Sequence, residues 1–196
     1  MRRGRPARRA LIVVAVGLAV AAAAELPFLN WQRIAAPLDA RPLVIRQDAK
    51  GDGRFEAPRS GGRKHRGVDL VAHLSDPVRA IRSGRVLEVG LHRGLGRFVE
   101  VEHPFGYRSL YAHLQSVMVT EGQRVRQGQV IGAVGKTGNA RHAWITPHLH
   151  LEVLHQGTPI DPRALGLPMQ ELLPRPATAT ASASGESDDE DARDGG

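Results

Sequence analysis

The 196-residue sequence contains no cysteine, so disulfides are excluded and the fold must be held by its core or by a metal ion. It also lacks an apolar run of the roughly 18 to 20 residues that span a hydrocarbon core; the longest, Ala10 to Ala24, has about 15. Helical periodicity is scarce, and only "DPRAL" and "PMQELL" near the end of the chain look briefly helical. Lysine is confined to Lys50, Lys64 and Lys136.

What is present divides into four segments. Residues 1–24 join an arginine-rich start to the apolar run and an alanine-rich exit, the pattern of a secretory signal cleaved after Ala24. Retained, residues 10–24 would instead serve as a weak membrane anchor, and Arg8 with Arg9 permit a twin-arginine route. Either way the chain is expected to be exported, to the periplasm or the cell envelope. Residues 25–50 are expected to be a spacer, with Leu43, Val44 and Ile45 as one possible strand. Residues 51–170 form the domain, and 171–196 are expected to be a disordered acidic tail, low in complexity from Ala177 onward.

The tail sets Glu186, Asp188, Asp189, Glu190, Asp191 and Asp194 against Arg193, and the arginines of the first nine residues offset it. The body therefore carries essentially the whole net charge of +7. For an exported chain this favours an anionic cell-wall polymer or lipid head groups as partner, and not nucleic acid.

From Pro77 to His155 the pattern is one of short β-branched or alternating runs. "VRAIRSGRVLEVG", "RFVEVEHP", "RSLYAHL", "QVIGAVG" and "HLHLEVLH" are separated by glycine-bearing turns. The expected fold class is all-β, an antiparallel sheet of short strands closing into a sandwich or open barrel.

The chemistry concentrates in three histidine clusters. In "KHRGVDL", His65 and Asp69 stand four apart, which on an extended segment puts both on one side. In "HLH", His148 and His150 share a strand face, opposite Leu149, Leu151 and Val153. In "YAHL", period two places His113 on the face of Tyr111. A lone histidine is usually a surface or core residue, but together these supply the nitrogen and oxygen ligands that a catalytic zinc prefers. Glu152 has the parity of His148 and His150, which suits either an acceptor for a ligand ring or a solvent-facing residue. His73, His92, His103 and His155 are expected at the surface, and His142 with Trp144 in a loop at the rim of the cleft.

"HRGVDL", "LYAHL", "GQVIGAVGKTG" and "PHLHLEV", in that order between about Gly51 and Pro162, resemble the lysostaphin-type zinc endopeptidases, which cut peptide bridges of bacterial peptidoglycan. The resemblance implies one zinc ion per chain, bound by His65, Asp69 and His150, with His113 and His148 beside it assisting catalysis. Three protein ligands leave a fourth position for a water whose pKa the ion lowers towards about 7. The implied substrates are peptide stems or cross-bridges of peptidoglycan. All five positions are filled, whereas relatives that have lost ligands act as activators or scaffolds. A catalytically silent wall-binding regulator of an amidase is the competing reading. The sequence departs from the pattern in two places: "FEAPRSGGRK" offers no tyrosine ahead of His65, and "GNARHAWITP" replaces a shorter link before His148.

A second resemblance, of "VRAIRSGRVLEVG" and "EGQRVRQGQVIG" to the half-motifs of biotinyl and lipoyl carriers, founders on chemistry. No lysine lies between the two to carry the cofactor, so the likeness is one of β-architecture.

Overall fold

The computed structural model describes residues 11–20, 33–48 and 51–171. Residues 11–20 are helical, and among the described residues no helix is long and apolar enough to cross a membrane. The rest of the expected signal or anchor, and the tail from residue 172, lie outside the described residues.

The remainder is β-structure joined by turns. The strands are β1 Leu43–Ile45, β2 Gln47–Asp48, β3 Gly51–Asp52, β4 Gly67–Val71, β5 Pro77–Arg79, β6 Gly84–His92 and β7 Gly96–His103, followed by β8 Tyr107–Val117, β9 Arg124–Val125, β10 Val130–Val134, β11 His148–His155, β12 Thr158–Ile160 and β13 Met169–Glu171. The main sheet runs β13-β1-β4-β11-β8-β7-β6-β9, with β12 on β11 and with β10 bridging β8 and β5. All its pairings are antiparallel except β1 with β13. The all-β, chiefly antiparallel fold expected from the alternating runs is the one observed.

Alternation in β11 explains how one strand serves both core and site. Leu149, Leu151 and Val153 are buried in the main hydrophobic cluster, each contributing roughly 1.5–3 kcal/mol of burial. His148, His150 and Glu152 take the opposite face. Register then places His150 between Asp69 of β4 and Ala112 of β8, so one row across three strands forms the middle of the site. Gly67 permits this close pairing, since a Cβ there would fall on the Leu151 carbonyl.

Strand β8 changes partners midway. Tyr107 to Ala112 pair with β11, whereas Leu114, Ser116 and Val117 pair with β10. The change falls at His113, which has a left-handed backbone (φ +64°), and the register with β7 slips at the same place.

Four expectations need correction. Residues 33–48 are not a free spacer: Ile34, Leu38, Leu43 and Ile45 are buried in the main core, and β1 pairs with both β4 and β13. Met169, Gln170 and Glu171 of "PMQELL" are not helical, because they pair with Leu43, Val44 and Ile45 as an edge strand. His103 is not at the surface but 5% exposed, its Nδ1 3.0 Å from the Ser83 carbonyl and its Nε2 2.8 Å from Ser109 Oγ. Tyr111 and His113 do not share a face: the left-handed residue turns His113 to the side of Ala112, while Tyr111 stays in the core.

Candidate metal centre

Three side chains from two segments converge. His65 lies in the chain just before β4, held by backbone hydrogen bonds from its amide to the Ala57 carbonyl and from the Glu56 amide to its own carbonyl. Asp69 is at the centre of β4 and His150 is its register partner on β11. His65 Nε2 is 3.1 Å from His150 Nδ1 and 3.2 Å from Asp69 Oδ1, and His150 Nδ1 is 2.9 Å from Asp69 Oδ1. Bonds of about 2.0–2.1 Å to a tetrahedral zinc set ligand atoms about 3.3 Å apart, so this triangle fits a single ion with little adjustment. All three residues are buried, and no cysteine competes.

The far nitrogen of each imidazole is also engaged. His65 Nδ1 is 2.8 Å from the Arg54 carbonyl, to which it donates, and His150 Nε2 is 3.1 Å from Glu152 Oε1. Donation from those atoms leaves His65 Nε2 and, once deprotonated, His150 Nδ1 with lone pairs facing Asp69 Oδ1, the tautomers that a metal requires. Glu152 is therefore an acceptor for a ring and not a solvent-facing residue.

Charge is concentrated here in the metal-free protein. Burial disfavours the Asp69 carboxylate, but the hydrogen bond from His150 and the close His65 ring outweigh it and hold the carboxyl well below its ordinary value. Burial likewise opposes the His150 imidazolium, yet Asp69 and Glu152 raise its pKa to about 9. A cation is what this set of carboxylates attracts, and the proton on His150 occupies part of that role.

Two further imidazoles stand beside the triangle. His148 Nδ1 is 2.7 Å from the Thr146 carbonyl and His113 Nδ1 is 3.0 Å from the Thr137 carbonyl. Each ring donates from Nδ1 and is left with an Nε2 lone pair. Their centroids are 4.9 Å apart and edge-on, and His148 Nε2 is 3.9 Å from Asp69 Oδ1. Burial, reinforced by the charges of His148 and His150, lowers His113 to about 3; burial also lowers His148, against the pull of Asp69. Both rings are consequently neutral bases near pH 7.

These groups line a cleft of about 890 Å³, whose wall also carries Arg46, Arg59, Arg63, Lys64, Arg66 and His92. His92 is exposed as expected, but its Nδ1 accepts from the Gly94 amide at 3.1 Å, which fixes the ring at the cleft. Neither tyrosine lines this cleft, in line with the missing tyrosine ahead of His65. His142 stacks on Trp144, centroids 4.9 Å apart, with Trp144 63% exposed and the adjacent Ile145 lining the cleft. His142 does not join the ligand triangle.

Sequence reasoning missed Arg46, whose guanidinium reaches Asp69, and the carbonyls of Arg54, Thr137 and Thr146 that orient the rings. Backbone acceptors leave no mark in side-chain identity. Arg46 carried no signal either, being one arginine among many in a basic chain.

Comparison with known proteins places the chain among peptidases of one family. The chain is 41% identical over 110 residues to the DD-carboxypeptidase/endopeptidase Mpg of Neisseria meningitidis, covering 56% of this chain and 24% of that protein. It is 35% identical over 109 residues to the peptidoglycan DD-endopeptidase ShyB of Vibrio cholerae, covering 56% and 25%. The chain thus spans about a quarter of the length of these curated relatives. The catalytic domain of the antimicrobial peptidase lysostaphin from Staphylococcus simulans superposes with a TM-score of 0.52 at 33% identity, covering 59% of this chain and 90% of that domain. Residues 63–162, which include the whole cluster of His65, Asp69, His113, His148 and His150, match the model of Peptidase family M23, and the chain belongs to that family.

Proposed function

We propose that this protein is a zinc-dependent endopeptidase of the cell envelope that hydrolyses peptide cross-links of peptidoglycan. The observation that carries this reading is the completeness of the site: a ligand triangle with edges of 2.9 to 3.2 Å, beside two neutral imidazoles whose Nε2 atoms are unprotonated. The endopeptidase names of Mpg and ShyB, the apolar N-terminal run and the basic body support the substrate class and the location.

In this proposal His65 Nε2, Asp69 Oδ1 and His150 Nδ1 hold the ion. Bound there, zinc would supply Lewis acidity to polarise the scissile carbonyl and to acidify a water. Glu152 and the Arg54 carbonyl keep the ligand rings in the required tautomers. His113 and His148 each offer an Nε2 that accepts the proton released by the attacking water. The ring so charged can then donate to the tetrahedral oxyanion or to the leaving amine. No covalent acyl intermediate is needed.

Mass spectrometry of muropeptides released from purified peptidoglycan by the zinc-loaded protein tests the proposal, with a chelated sample as control. Chelator-sensitive loss of cross-linked species is expected. Intact cross-links despite full zinc occupancy would turn the assignment to the silent wall-binding regulator.

A further inference from the structure

Asp69 has two oxygens, and they face different partners. Oδ1 faces His150 and His65, at 2.9 and 3.2 Å. Oδ2 is 3.1 Å from Arg46 Nη2 and 3.6 Å from Arg59 Nη2. The Arg46 side chain is only 7% exposed, and its other arm is fixed by Asp48 Oδ2 at 2.8 Å. The β2–β3 hairpin closes over this guanidinium so tightly that a Cβ on Gly51 would approach Nη2 to 3.0 Å. Arg46 Nε is buried and finds no acceptor among the described residues, a cost of about 1–3 kcal/mol that simple charge neutralisation at the surface would not incur. Arg46, Asp48, Gly51 and Arg59 all fall outside the segment 63–162 that matches the family.

We propose that Arg46 is a positioning residue of the metal centre, occupying Asp69 Oδ2 so that the carboxylate offers the ion Oδ1 alone. The inference rests on the zinc site proposed above. Its physical content is coordination number. A carboxylate free to turn can bind zinc through both oxygens and fill the position that a catalytic site must leave open. A bidentate-capable guanidinium clamped between Asp48 and Asp69 removes that freedom, and Arg59 reinforces it from the exposed side. The β2–β3 hairpin thereby becomes part of the active site although it contributes no ligand.

The test compares the full chain with Arg46→Met and Arg46→Lys, reading zinc affinity by chelator competition and the visible absorption of the cobalt-substituted proteins. Wild type is expected to give the intense bands of a four-coordinate centre. Arg46→Met is expected to bind zinc about 10–100-fold more weakly and to give weaker cobalt bands, as the second carboxylate oxygen joins the ion. Arg46→Lys, retaining one donor, should fall between the two. Arg46→Met with unaltered zinc affinity and an unaltered cobalt spectrum would overturn the proposal. Failure of wild type to bind either ion would instead overturn the metal site itself. Should Arg46→Met not fold, Asp48→Asn, which loosens the clamp from its half-buried side, carries the same test. Its expected result is several-fold weaker zinc binding, and unchanged affinity together with an unchanged cobalt spectrum would count against the clamp.

Discussion

Tyr111 and His113, two residues apart in β8, point to opposite sides of the sheet. The Tyr111 hydroxyl accepts from the Ile81 amide at 2.8 Å in the core, whereas His113 Nδ1 donates across 3.0 Å to the Thr137 carbonyl at the cleft. The left-handed backbone of His113 causes the reversal, and its amide finds the Leu95 carbonyl at 2.8 Å in place of a regular strand partner. A conformation costing about 1 kcal/mol for a residue with a Cβ is thus retained where it aims an imidazole at the site.

His113→Ala and His148→Ala should leave the ligand triangle intact and remove a base. Expected are stoichiometric zinc by elemental analysis and a turnover on muropeptides reduced about 10²–10⁴-fold. Full activity in either variant would deny that ring its role.

The triangle itself should respond differently. His65→Ala, Asp69→Ala and His150→Ala are expected to lose zinc and activity together, because two remaining ligands do not hold the ion. Glu152→Gln keeps all three ligands but weakens the acceptor 3.1 Å from His150 Nε2. It should lower zinc affinity about 10–100-fold without abolishing binding, and chelator competition separates the two behaviours.

Period two was enough to divide β11 into a core face of Leu149, Leu151 and Val153 and a site face of His148, His150 and Glu152. The spacing of His65 and Asp69 likewise pointed to one side, although only Asp69 lies within a strand and His65 is placed by the backbone of Glu56 and Ala57. What sequence did not disclose depends on contacts distant along the chain. Period two mistook the face of His113 because the bulge is defined by Leu95 and Thr137. β13 looked helical because its strand character comes from pairing with β1, well over a hundred residues earlier. His103 looked like a surface residue because its acceptors and donors, Ser83 and Ser109, come from other strands and turns.

Zinc uptake should release a proton. In the metal-free protein His150 is protonated up to about pH 9, whereas a ligand imidazole must be free of its proton at the coordinating atom. Falling pH therefore stabilises the metal-free form, and this group alone makes the apparent affinity drop about tenfold for each pH unit below 9. Calorimetry at pH 7.5 in two buffers of different ionisation enthalpy is expected to show at least one proton released per zinc bound. Release of none would contradict the charged His150 between Asp69 and Glu152.

His103 should make the fold acid-sensitive independently of the metal. Burial lowers its pKa from 6.5 to about 4, against the favourable bond to the Ser83 carbonyl. With Nδ1 donating to Ser83, Nε2 of the neutral ring accepts from the Ser109 hydroxyl, whose oxygen lies 2.9 Å from that of Tyr111, and the buried network suits that uncharged form. The unfolded chain takes up that proton below about pH 6.5 while the folded one resists it until about pH 4. Stability is accordingly complete above 6.5 and declines as pH falls through this window, by on the order of 3 kcal/mol in all. Urea unfolding of the chelated protein at pH 7 and 4.5 measures the decline, and His103→Gln should be less stable at pH 7 but lose less between the two. An equal loss in both proteins would place the acid sensitivity elsewhere.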